Sequence, residues 1–239
     1  MKKQQTALYI LITYCVMQLS GIIFASLLFM IFKYYNLENP ILLANGWWTF
    51  IGMGTATIIT LLIIRKDKSF IRPLKGQASS TLKSVAWGVL GFIMVLYGQA
   101  LAANIEIKFF GIEPGSENTQ DFMELASSVP FVFFSIVFFA PILEELIFRR
   151  IIFGTLLPKT NFFVAALISS LSFAVIHFEF THILIYAVSG FIFAFIYYKT
   201  KRIITSIIAH MLLNGFVVIA QLYNEEIINF CERLAEMLQ

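Results

Sequence analysis

Apolar residues run along this chain in stretches too long to be one face of a soluble helix, and polar residues collect in short breaks between them. A helix needs about 20 mostly apolar residues to cross the hydrocarbon of a bilayer. Seven stretches meet or approach that length: Ala7–Phe32, Trp47–Ile64, Ser84–Ala103, Val129–Leu157, Phe162–Phe178, Ile183–Tyr198 and Ile203–Tyr223. The pattern predicts an all-α, polytopic transmembrane helix bundle of about seven spans. The first run follows Lys2 and Lys3, as a secretory signal would. It far exceeds an h-region of about 7–15 residues, so it reads as an uncleaved first span.

Between the spans, Lys66–Lys83 is a basic loop suited to anionic lipid headgroups. The stretch Gly111–Gln120, GIEPGSENTQ, has loop chemistry. From Asn224 onward, Ile227, Phe230, Cys231, Leu234 and Leu238 fall at helical spacing. That amphipathic tail is expected either to lie along the membrane surface or to pack on the bundle. The chain thus divides into a three-span region with an outer loop (1–128), a four-span region (129–223) and the tail (224–239).

Composition narrows the class. Hydrophobic residues make up 59% of the 239 positions and charged residues 13%, against about 45–50% and about 25% in soluble domains. A soluble enzyme, a disordered chain and a nucleic-acid-binding domain are excluded. The net charge of +3 is explained by placement. With the N-terminus in the cytoplasm, 14 of the 17 Lys and Arg fall inside, and only Lys33, Lys108 and Arg233 fall outside. That split predicts a cytoplasmic N-terminus and an outer C-terminus. Cys15 and Cys231, with no CxxC, make no disulfide framework.

Against this apolar background a few ionisable residues stand within the spans. A carboxylate at the centre of a spanning helix costs roughly 2.5–3.5 kcal/mol on insertion scales and marks a functional candidate. Glu144 and Glu145 lie side by side in PILEELIFRR. Glu145 and Arg149 are i,i+4 neighbours able to pair on one helix face, whereas Glu144 is turned about 100° away. Glu145–Arg149 therefore reads as structural, leaving Glu144 for chemistry; capping or snorkelling near the inner interface is the bland alternative. His177 closes FAVIH one turn after Phe173, and His210 and Asn214 share a face of HMLLN. A Glu, two His and an Asn are the parts for activating water and stabilising an oxyanion. Glu179 and His182 follow in a turn and read mainly as loop residues facing the same region.

Glu144-Glu145-x-x-x-Arg149, Phe173-x-x-x-His177 and His210-x-x-x-Asn214, in that order on successive hydrophobic segments, resemble the CPBP family. This is the type II CAAX-prenyl-protease or Abi family, which includes the Rce1-type prenyl-protein endopeptidases. The resemblance covers roughly Val129–Tyr223, making 129–223 the expected catalytic membrane domain, and no motif of it falls in the first three spans. It implies intramembrane peptide-bond hydrolysis. Glu144 would take the proton of the attacking water, His177 would help hold that water, and His210 and Asn214 would stabilise the oxyanion. Glu145, Arg149 and Phe173 would support the site.

Zinc is an alternative, with Glu144, His177 and His210 as ligands, but HExxH is absent and the resemblance favours water activated by glutamate without a cofactor. Asp67 and Asp121 both lie in loops, which excludes an intramembrane aspartyl dyad. A non-catalytic membrane partner or immunity protein of the same fold is a further alternative, though no motif position is lost. A proton-coupled transporter is another, but no inverted repeat is visible. The expected partners are membrane lipids and a hydrophobic or amphipathic peptide, with no nucleic acid. The expected location is a bacterial cytoplasmic membrane, with roles in maturing a secreted signalling peptide or in bacteriocin-related processing and immunity.

Overall fold

In lipid no water is at hand for backbone N–H and C=O groups, so long apolar runs close their hydrogen bonds internally as helices. A computed structural model describes residues 3–72 and 74–223. Among the described residues the regular structure is helical, without strands. The helices are α1 (Lys3–Tyr34), α2 (Pro40–Lys66), α3 (Thr81–Phe110), α4 (Glu117–Ser128), α5 (residues 132–156), α6 (Phe162–Val175), α7 (Ile183–Thr200) and α8 (Ile203–Leu222). The amphipathic tail expected from Asn224 lies outside the described residues.

Among the described residues five helices are long and apolar enough to cross a membrane: α1, α2, α3, α7 with its preceding turn, and α8. The other two expected spans take different forms. α6 has only 14 residues, about 21 Å at 1.5 Å per residue, against a hydrocarbon core of about 30 Å. Its expected extension to Phe178 is replaced by a reversal in which Phe178 takes φ 54. α5 is not the continuous α-helix expected over Val129–Leu157: π-helical turns occupy Ser135–Phe139 and Glu145–Phe153. The outer segment also differs from expectation. α3 runs on to Phe110, and the GIEPGSENTQ stretch leads into the amphipathic helix α4, capped by the Ser116 side chain accepting from Thr119 N–H.

α1 pairs with α2, α3 packs on α7 and α8, and α6 packs on α7. Close approach depends on small residues: a Cβ at Gly91 of α3 would meet Ile196 at 2.5 Å, and one at Gly190 of α7 would meet the Ser170 backbone at 2.9 Å. The core gathers Val95, Leu146, Phe148, Phe173, Phe193, Ile196 and Leu213 around α5. α1 keeps most of its apolar side chains on the outside, as a lipid-facing helix does.

Candidate active site

The two π turns shape the site. In the first, Ala140 N–H reaches back five residues to the Ser135 carbonyl. The same register would bring residue 141 to the Ile136 carbonyl, but Pro141 has no N–H to give. Asn214 of α8 supplies the missing donor, its Nδ2 lying 2.8 Å from Ile136 O. The side chain is thereby oriented, and one amide N–H remains for another acceptor. Proline, π turn and asparagine form one device tying α5 to α8. In the second π turn, Ser169 of α6 donates to the Phe148 carbonyl at 2.7 Å.

The expected i,i+4 pair is present, with Arg149 Nη1 3.2 Å from Glu145 Oε1 and both side chains fully buried. Arg149 Nη2 also donates to Gly190 O at 3.3 Å. The guanidinium lies 4.4 Å from the Phe173 ring centre and 5.1 Å from that of Phe193, so aromatic faces share its charge. Phe173, expected as support, meets the rings of both His177 and His210, at 4.7 and 5.7 Å.

Glu144, turned about 100° from Glu145 on the helix, lines the cavity instead. Its Oε2 lies 3.7 Å from His210 Nε2. That is too long for a direct hydrogen bond and leaves both atoms able to bind one water. His210 is fixed from behind: Nδ1 is 3.1 Å from Glu145 Oε1, and its ring stacks on Phe193 at 4.7 Å. A carboxylate only accepts, so Nδ1 carries a proton and Nε2 is the atom presented to Glu144. Glu145 therefore serves Arg149 and His210 together, a second role that the i,i+4 spacing did not reveal.

His177 enters from the reversal after the short α6. Its Nδ1 donates to Phe173 O at 2.8 Å, which leaves Nε2 as an acceptor. Glu144, His177, His210 and Asn214 all line one cavity of about 690 Å³. The shortness of α6 explains how a residue at the far end of the fifth hydrophobic segment reaches the level of Glu144.

Tyr186 and Ser116 are not singled out by the sequence, where Glu179 and His182 read mainly as loop residues. Tyr186 of α7 stacks on His177 at 4.1 Å. Its hydroxyl donates to Glu179 Oε2 at 2.7 Å, and the same carboxylate accepts from Ser116 Oγ at 2.8 Å and Glu117 N–H at 2.7 Å. Glu179 thus latches the start of α4 to the residue that packs His177. His182 bonds Glu106 of α3 at 2.9 Å. Glu179 and His182 line the cavity, the region the sequence has them face from their turn after His177. Tyr186 and Ser116 carried no signal of this kind. Among the described residues no three His, Cys, Asp or Glu side chains are grouped so as to hold a metal ion. Glu144, His177 and His210, the set weighed for zinc, do not form such a grouping.

A helical membrane bundle with a carboxylate–imidazole pair on the wall of an internal cavity has the make-up of a membrane-embedded hydrolase. Residues 126–216 match the family described as "Type II CAAX prenyl endopeptidase Rce1-like". The chain is 41% identical to the "Putative membrane peptidase YdiL" of Bacillus subtilis (strain 168), over 97% of this chain and 94% of that protein. It is 39% identical to the "Membrane-embedded CAAX protease MroQ" of Staphylococcus aureus (strain USA300), over 59% of this chain and 60% of that protein. A match of 43% identity to "UPF0177 protein YxdF" of Lactococcus lactis covers 32% of this chain and 42% of the relative. No solved structure matches. The chain belongs to the Rce1-like type II CAAX endopeptidase family and is a multi-pass membrane protease.

Proposed function

We propose that the chain is an intramembrane endopeptidase in which Glu144 activates water against a peptide bond of a membrane-associated substrate. The observation that carries this is the placement of Glu144 Oε2 3.7 Å from His210 Nε2 on a cavity wall, while Glu145 is consumed by Arg149 and His210. Glu144 takes a proton from water as the oxygen bonds to the carbonyl carbon. The free Asn214 N–H meets the oxyanion of the tetrahedral intermediate. The C–N bond then breaks and Glu144 returns the proton to the leaving amine. His177 and His210 hold the water through Nε2; His210 donates from that atom to the oxyanion only when doubly protonated, because Nδ1–H is committed to Glu145.

The reading uses no metal, supported by the lack of any three-ligand grouping among the described residues. The relatives' bacterial sources support a bacterial cytoplasmic membrane; the role proposed there is the maturation of a secreted signalling or bacteriocin-related peptide. Glu144→Gln tests the centre. Proteolysis by the purified chain should fall roughly 100- to 10,000-fold, the usual contribution of a general base, with unchanged folded yield. Activity near wild type in that variant would remove Glu144 from the chemistry.

A further inference from the structure

The two ends of the bundle are built differently. At the end holding the basic loops, residues 67–72 and 74–80 are strapped across the helices. Asp67 accepts from Thr6 Oγ1 at 2.7 Å, Leu74 N–H bonds Lys201 O at 3.0 Å, and Ser79 N–H bonds Thr200 O at 3.0 Å. Arg202 Nε returns to Ser79 O at 2.5 Å. Within the strap, Phe70 is buried and its carbonyl accepts from Arg150 Nε. The Arg149–Glu145 pair forms the next layer, with no exposure at all. Among the described residues the cavity takes no wall from this strap, and no Lys or Arg lines it.

At the other end the cavity runs out under α4. Its wall there comes from Ser116, Asn118, Thr119, Phe122 and Met123 together with the turn at Glu179. The lining mixes apolar side chains with neutral amides, Gln18 and Gln99 among them, and with the carboxylates of Glu144 and Glu179. Amides can bond both N–H and C=O of an extended backbone, the apolar wall favours apolar side chains, and the carboxylates disfavour acidic ones. The concentration of Lys and Arg at the strapped end places that end in the cytoplasm.

Resting on the reading of Glu144 as a peptidase centre, we propose that the cavity is loaded from the non-cytoplasmic side. Its substrate class is the outer juxtamembrane stretch of a membrane-anchored peptide, free of acidic side chains over the residues that enter. A tail held in the cytoplasm would have to pass the strap and the Arg149 layer to reach Glu144.

The test is cysteine accessibility in intact cells, using the full chain with Cys15→Ala and Cys231→Ala. Single cysteines are then placed at the mouth (Thr119→Cys, with Met123→Cys as a second reporter), inside the cavity (Gln99→Cys) and in the strap (Lys68→Cys). The probe is a small membrane-impermeant cationic thiosulfonate. The mouth and interior cysteines should react in intact cells, at rates at least tenfold above those of Lys68→Cys, which should react only after permeabilisation. Reaction of the strap cysteine alone from outside, or of the mouth and interior cysteines only after permeabilisation, would overturn the proposal. So would a Gln99→Cys that reacts in neither preparation while the mouth cysteines react. Adding Glu144→Gln to each variant should leave the labelling unchanged. Failure of the catalytic reading therefore shows in proteolysis alone, and failure of the loading side shows in labelling alone.

Discussion

Glu145→Gln separates the glutamate that supports the site from the one proposed to act in it. In the native protein the Glu145 carboxylate neutralises Arg149 at 3.2 Å, with neither side chain exposed. Glutamine keeps the volume and can still accept from His210 Nδ1, but it leaves a buried guanidinium without a counter-charge. Removing one partner of a buried pair costs roughly 3–5 kcal/mol. Arg149 retains Gly190 O and the Phe173 and Phe193 rings, so the lower end applies, about 3 kcal/mol. That is roughly a 150-fold fall in the folded-to-unfolded ratio. The assay is reversible unfolding of the purified chain in mixed micelles as the fraction of denaturing detergent rises. Arg149→Met should lose about as much, because it strands Glu145 beside His210. The double variant should recover at least about 2 kcal/mol relative to the sum of the singles, since no uncompensated charge remains. A Glu145→Gln protein within about 1 kcal/mol of native stability, or strictly additive losses in the double variant, would refute the assignment of this pair as the buried support.

Asn214→Ala should cost about 1–3 kcal/mol by stranding the Ile136 carbonyl, and should slow turnover roughly 100-fold or more. Adding Pro141→Ala to it restores an N–H to the π turn, so stability measured by unfolding should rise again while turnover should not. Tyr186→Phe keeps the ring against His177 but removes the bond to Glu179, and hydrogen exchange at residues 116–119 should accelerate with about 1 kcal/mol of lost protection. Hydrogen bonds from Ser69, then from Thr6, hold the Asp67 carboxyl below its ordinary range. A folded-state value below the unfolded one gives stability that is whole above about pH 5 and fades as pH falls through the usual carboxylate range and below. Unfolding curves between pH 6 and 3 should therefore flatten in Asp67→Asn, and an unchanged slope would dismiss that contribution. Purified protein should carry no stoichiometric zinc by elemental analysis, and a chelator should leave proteolysis intact; activity that tracks zinc removal and return would sink the metal-free mechanism.

Local spacing was enough for the helical membrane class and the Glu145–Arg149 pair, and it was the motif resemblance that grouped Glu144, His177, His210 and Asn214 as one expected site. Lipid forces long apolar runs to be helical whatever surrounds them, and an i,i+4 pair meets on any helix. The tertiary structure decided what depended on distant partners. The first π turn of α5 persists because Asn214, 78 positions away, answers a carbonyl that Pro141 abandons. Neither residue alone announces that register. α6 stops at Val175 because the chain reverses there at Phe178 in a left-handed conformation, a turn that hydrophobicity counting extends through. The outer segment became α4 through its Ser116 cap and the Glu179 latch, a contact spanning 63 positions. Tyr186 joined the site only because α7 crosses α6 where Gly190 admits it closely. Sequence determines what a helix carries on each face; which faces meet, and at what depth, is set by close packing between helices that sequence spacing does not encode.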